Sequence, residues 1–119
     1  MNGKLLMCAI YIALALFPAL FTGTPATAQE VIKVTAKQFE FSPSEITLKK
    51  GVPVVLEFTS ADRLHGFDCP GLKVRTDIEP GKVNRVEFTP AEAGTFPFHC
   101  DNFCGSGHGK MGGKIIVTE

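Results

Sequence analysis

Neither sign of charge predominates in this chain: 12 Lys and Arg stand against 12 Asp and Glu, a formal net charge of zero. Beyond residue 28 the count is 11 basic and 12 acidic groups, about −1. No basic stripe is present to neutralise phosphates, so nucleic acid is not an expected partner. Residues 29–119 also lack an internal repeat and a low-complexity tract. At 119 residues there is room for one domain and no second. Residues 29–119 lack an even cysteine count too. Past Cys8 there are three, Cys69, Cys100 and Cys104, so they do not all pair within the chain.

One long apolar run exists, and it lies at the start. Lys4 and the amino terminus form a positive region, Leu5–Phe21 is an apolar run of 17 residues, and Ala26-Thr27-Ala28 is an A-x-A cleavage pattern. The run contains Pro18 and falls short of the about 20 residues that a spanning helix needs. The sequence therefore predicts a signal peptide over residues 1–28, a mature domain over 29–119, and a periplasmic or otherwise exported location. A retained membrane anchor through residues 5–21 is the other reading. Cys8 precedes most of the run and is badly placed to carry a lipid.

From Gln29 onward the pattern is short strands punctuated by turns. Val31–Thr35 opens a strand, Phe39 and Phe41 flank Glu40 at period 2, and Glu45–Lys49 alternates again after Ser42-Pro43-Ser44. Val52–Thr59 is strongly apolar, with Pro53 expected near its start or on an edge. Ser60–Leu64 is a polar loop leading to His65, and Glu79-Pro80-Gly81 marks a turn. Val83–Thr89, Thr95–Cys100 and Lys114–Thr118 complete the strands. No segment reads as a convincing helix. The expected fold is all-β, a Greek-key sandwich or barrel.

The densest chemistry sits in Phe98–Met111, FHCDNFCGSGHGKM, which places Cys100, Cys104, His108 and Met111 as C-x3-C-x3-H-x2-M. Five glycines in nine residues, from Gly105 to Gly113, argue against a helix, since each costs roughly 1 kcal/mol relative to Ala there. The stretch is expected to be a loop. Two thiolates, an imidazole and a thioether are soft donors that select copper or zinc over hard cations. The thioether weighs toward copper.

The segment from His65 to Val117 resembles the copper domain of cytochrome c oxidase subunit II, a cupredoxin. The shared signature is a His, about 35 residues, and then C-x3-C-x3-H-x2-M. That domain carries the dinuclear copper centre called CuA, which nitrous oxide reductase shares. The resemblance implies that Cys100 and Cys104 bridge two copper ions, that His65 and His108 each cap one, and that Met111 is a weak axial ligand. It also implies that the residue between the cysteines, Asn102, donates its backbone carbonyl. Single-copper cupredoxins carry one Cys in this loop, so the second Cys discriminates. The implied role is single-electron transfer. A c-type cytochrome or other small redox protein would stand on one side, and a terminal oxidase or reductase on the other.

Three features depart from that family: the helices before its copper domain are replaced by one signal-like run, Asn102 stands where Glu is frequent, and Trp is absent. Other readings stay open. They are an anchored electron-entry subunit of a membrane oxidase, a mononuclear site built on Cys104, and a copper chaperone or store. The last would draw on clustered Met and His, whereas Met111 is the only Met after residue 28. A plain Cys100–Cys104 disulfide would leave His108 and Met111 without a role. Cys69 reads as a small buried hydrophobe, and His99, alternating with Cys100, as facing away from the site. Asp68, Asp77 and Glu79 read as solvated loop charges.

Overall fold

Period-2 alternation decides which face each strand buries. In a computed structural model describing residues 29–119, Val34 and Ala36 of β1 (Glu30–Lys37) turn inward. So do Ile46 and Leu48 of β3 (Glu45–Lys49), and Phe41 of the short β2 (Glu40–Ser42). The expected export segment, residues 1–28, lies outside the described residues. The remaining strands are β4 (Val54–Ser60), β5 (His65–Cys69), β6 (Val74–Ile78), β7 (Asn84–Phe88), β8 (Gly94–His99) and β9 (Gly112–Thr118). Two sheets result, ordered β2-β1-β4-β7 and β3-β9-β8-β5-β6. The pairs β1/β4 and β3/β9 are parallel, and the others are antiparallel. This is the all-β Greek-key sandwich that the strand spacing predicts.

Four phenylalanines form the centre of the layer between the sheets. The Phe67 ring lies 4.6 Å from Phe58, 4.8 Å from Phe98 and 6.0 Å from Phe41, the last edge-on. Phe67 comes from the strand that begins at His65, so the aromatic core and the candidate site share one backbone segment.

Several boundaries differ from the sequence reading, each for a physical reason. Proline has no ladder donor, so β4 starts at Val54, just after Pro53. Gly112 and Gly113 belong to β9 rather than to the loop. A Cβ at Gly113 would lie 2.1 Å from the Ser44 carbonyl oxygen, so glycine is there for close approach. His65–Cys69 and Val74–Ile78 are strands β5 and β6, which Gly66, Asp68 and Pro70 disguise in the sequence. Asp68 and Asp77 are accordingly strand residues with partners: Asp68 lies 3.6 Å from His99, and Asp77 lies 2.8 Å from Arg75.

A short 3-10 turn, Pro70–Leu72, follows Cys69 and folds its side chain into the core, where it has no exposure. Burial pushes the Cys69 thiol above its ordinary range, which keeps it a neutral hydrophobe. Cys69→Val should therefore leave copper content unchanged and shift stability by less than about 1.5 kcal/mol. Metal analysis and urea unfolding check this. Loss of copper in that variant would make Cys69 part of the site.

Candidate metal centre

Three pieces of chain meet at one end of the sandwich. His65 opens β5, Cys100 directly follows β8, and Met111 directly precedes β9. Because β8 and β9 are paired, the residues leaving one and entering the other lie side by side. The Cys100 amide donates to the Met111 carbonyl at 3.0 Å and closes the loop. Inside the loop, His108 N donates to Gly105 O and Met111 N to His108 O, both at 3.1 Å. That tightens His108–Lys110 into a single 3-10 turn. Phe39, from the β1–β2 connection, packs on the loop. Cβ atoms at Gly105 and Gly107 would lie 2.9 and 2.5 Å from its ring. Two of the loop glycines therefore make room for an aromatic lid.

The structure brings the candidate ligands together. The Cys100 and Cys104 sulfurs are 3.9 Å apart, unbonded, and both residues are buried. His65 Nδ1 lies 4.0 Å from Cys100 Sγ, and His108 Nδ1 lies 3.6 Å from Cys104 Sγ. Met111 Sδ is 3.7 Å from Cys104 Sγ, and the Asn102 carbonyl oxygen accepts from Cys100 Sγ at 3.2 Å. The ligating atoms of His65, Cys100 and Cys104 all lie within 4.8 Å of one another. All six sequence-predicted residues are therefore in one place. His99 is not among them; its side chain is half exposed and faces Asp68. Cys69 lies at the far end of β5 from His65, outside the cluster.

His65 is wholly buried, and its tautomer is set from behind. Its Nε2 lies 2.6 Å from Asp62 Oδ1, which leaves Nδ1 as the lone-pair nitrogen turned to the sulfurs. Asp62 also accepts from the backbone amides of Gln38 at 2.8 Å and Arg63 at 2.7 Å. Burial alone would raise its carboxyl, but these hydrogen bonds and His65 outweigh it and hold the pKa below the ordinary range. Gln38 further donates its side-chain amide to the Cys104 carbonyl, which Arg63 Nη1 approaches at 3.4 Å. One short loop thus orients a histidine and braces the second cysteine. Nothing in the polar composition of Ser60–Leu64 marks it for that role. The available signal is a carboxylate three residues before His65.

Burial, with the neighbouring Cys100 sulfur behind it, pushes the Cys104 thiol up to about 11. In this dry site that shift keeps the Cys104 sulfur protonated when no cation is bound. To hold a soft cation Cys104 would give up that proton, and the same burial would then favour strong ligation. The donor set, two thiols, two imidazoles, a thioether and a carbonyl, fits copper.

Comparison with known proteins identifies the family and the fold. A family model described as a cupredoxin-like domain matches residues 7–117. Cytochrome c oxidase subunit 2 of Thermus thermophilus is 34% identical over 91 residues, covering 76% of this chain and 67% of that protein. Nitrous-oxide reductase of Cupriavidus necator is 33% identical over 90 residues, covering 72% of this chain but 14% of that enzyme. Among solved structures, the periplasmic domain of cytochrome oxidase subunit II (CoxB) of Bradyrhizobium japonicum superposes with a TM-score of 0.69. It is 25% identical, with 76% of this chain and 84% of that one covered. The chain belongs to the cupredoxin-like domain family and is a homologue of cytochrome c oxidase subunit 2.

Proposed function

We propose that this chain is an exported single-electron carrier whose His65, Cys100, Asn102, Cys104, His108 and Met111 hold a dinuclear CuA-type copper centre. The observation that carries the reading is the pairing of donors. Each of two sulfurs 3.9 Å apart has its own imidazole nitrogen, His65 for Cys100 and His108 for Cys104. A single-copper site uses one thiolate and leaves the second sulfur unexplained. Met111 lies on the Cys104 side and the Asn102 carbonyl on the Cys100 side, so each metal position has a weak fourth donor from this chain.

Copper supplies the one-electron couple. The protein supplies rigidity: the ligands sit on strand ends and on a loop tied by backbone hydrogen bonds, so little moves when the charge changes. With the donors all drawn from the chain, no position is left for a substrate, and the site is read as electron-transferring rather than bond-making. Exposed apolar side chains surround it. Phe103 is 77% exposed with its ring 5.7 Å from that of His108, and Leu64, next to His65, is 43% exposed. Such a surface suits brief contact with a c-type cytochrome or small redox protein, and with a terminal oxidase or reductase as the other partner. The relatives, named as an oxidase subunit and a reductase, support that pairing.

The test is stoichiometry with an optical spectrum. Copper-loaded protein is expected to hold two coppers per chain and to show the purple of bridged thiolate–copper. One copper per chain with a single blue band would sink the dinuclear reading. Export is tested by the intact mass of native protein, which should begin at or near Gln29. A retained Leu5–Phe21 in the membrane fraction would instead make this an anchored oxidase subunit.

A further inference from the structure

The outer face of β6 carries a second constellation, separate from the sulfurs. β6 is the edge strand of the five-stranded sheet, and its Arg75 and Asp77 point away from the core. Arg75 Nε and Nη2 donate to the two carboxylate oxygens of Asp101 at 2.7 and 3.0 Å, a bidentate fork. Arg75 Nη1 lies 2.8 Å from Asp77 Oδ1. Asn102 Nδ2 lies 3.3 Å from the same Asp77 oxygen and also donates to the His65 carbonyl at 3.3 Å. Asp101 reaches Arg75 by crossing β5 at Gly66, where a Cβ would lie 1.9 Å from Asp101 Oδ1. Glycine at 66 is thus matched to a carboxylate at 101 and a guanidinium at 75.

An isolated surface ion pair contributes little stability. This one is forked, shares its second acid with an amide, and holds the two residues that follow Cys100. Its consequence lies on the inner side of the chain, where the Asn102 carbonyl faces Cys100 Sγ. We propose that Arg75 is a positioning residue. Through Asp101 and Asp77 it straps the first half of the cysteine loop onto β5 and β6 and aims the Asn102 carbonyl into the site. The consequence at the metal rests on the copper reading above, but the strap itself is a property of the metal-free chain.

The test is peptide-resolved alkylation of the metal-free full-length protein with iodoacetamide, comparing wild type, Arg75→Met and Arg75→Lys. Losing a forked, charge-assisted pair should open the loop about tenfold more often. Cys100 and Cys104 should therefore label about tenfold faster in Arg75→Met, while Cys69 in the core is unchanged. Arg75→Lys keeps the charge without the fork and should label like Arg75→Met. Unchanged rates, equal acceleration of Cys69, Cys100 and Cys104, or full protection by lysine would each overturn the proposal. In copper-loaded protein, Arg75→Met should also lower the reduction potential, because two uncompensated carboxylates favour the oxidised site. That shift reads charge rather than position, so Arg75→Lys should restore much of it; a potential unchanged in Arg75→Met would overturn the pairing of Arg75 with Asp101 and Asp77 on which the strap is built. Finding one copper per wild-type chain would fell the dinuclear reading, while the labelling rates would still decide for or against the strap.

Discussion

Cys104→Ser is expected to abolish the dinuclear copper absorption and to leave at most one weakly held copper per chain. Cys104 lies among three other candidate ligands, Cys100 Sγ at 3.9 Å, His108 Nδ1 at 3.6 Å and Met111 Sδ at 3.7 Å, while Gln38 holds its backbone carbonyl. In the proposed dinuclear centre its sulfur would be shared by both metal positions, so removing it would take a bridge from each and separate His108 and Met111 from Cys100. Serine is a harder ligand that seldom ionises, so it does not replace the thiolate. Metal analysis with an optical spectrum reads the result. Two coppers and an unchanged spectrum in the variant would remove Cys104 from the bridge. Met111→Leu is the informative contrast. In the proposed centre Met111 would be a weak thioether ligand that tunes more than it binds, so that variant should keep both coppers and shift the reduction potential.

Phe67→Ala is expected to cost about 3 to 5 kcal/mol of metal-free stability, enough to unfold much of a domain with ordinary reserves. The ring has no exposure and touches Phe58, Phe98 and Phe41, which belong to both sheets. Alanine would leave a void that the surrounding strands cannot close without breaking register. Phe67 also lies two residues from His65 on the same face of β5, so copper loading should weaken together with stability. Urea unfolding followed by circular dichroism measures the loss. A change under about 1 kcal/mol would mean that the aromatic layer repacks freely. The core would then not hold the ligand strand.

The candidate site is more legible in the sequence than the strands that carry it. Cys100, Cys104, His108 and Met111 are close in sequence, and a glycine-rich loop of that length keeps them close in space. His65 is 35 residues from Cys100, and only the resemblance to the subunit II copper domain connects the two. The alternating strands β1, β3 and β7 are readable because one face of each is apolar. β5 and β6 are not, because their outward positions are occupied by Gly66, Asp68, Arg75 and Asp77 for reasons beyond local propensity.

By itself, then, the sequence determined the all-β class and the glycine-rich loop that gathers Cys100, Cys104, His108 and Met111. Each follows from residue type and short spacing. Tertiary structure decided what has no local signature. Asp62 sets the face of His65 that meets the sulfurs, and the Cys104 carbonyl is braced by Gln38 and Arg63. Asp101 crosses at Gly66 to meet Arg75. Gln38 and Cys104 are 66 residues apart, and Arg75 and Asp101 are 26 apart. Such pairs become neighbours only when strand pairing and register are chosen, and burial of the phenylalanine layer makes that choice.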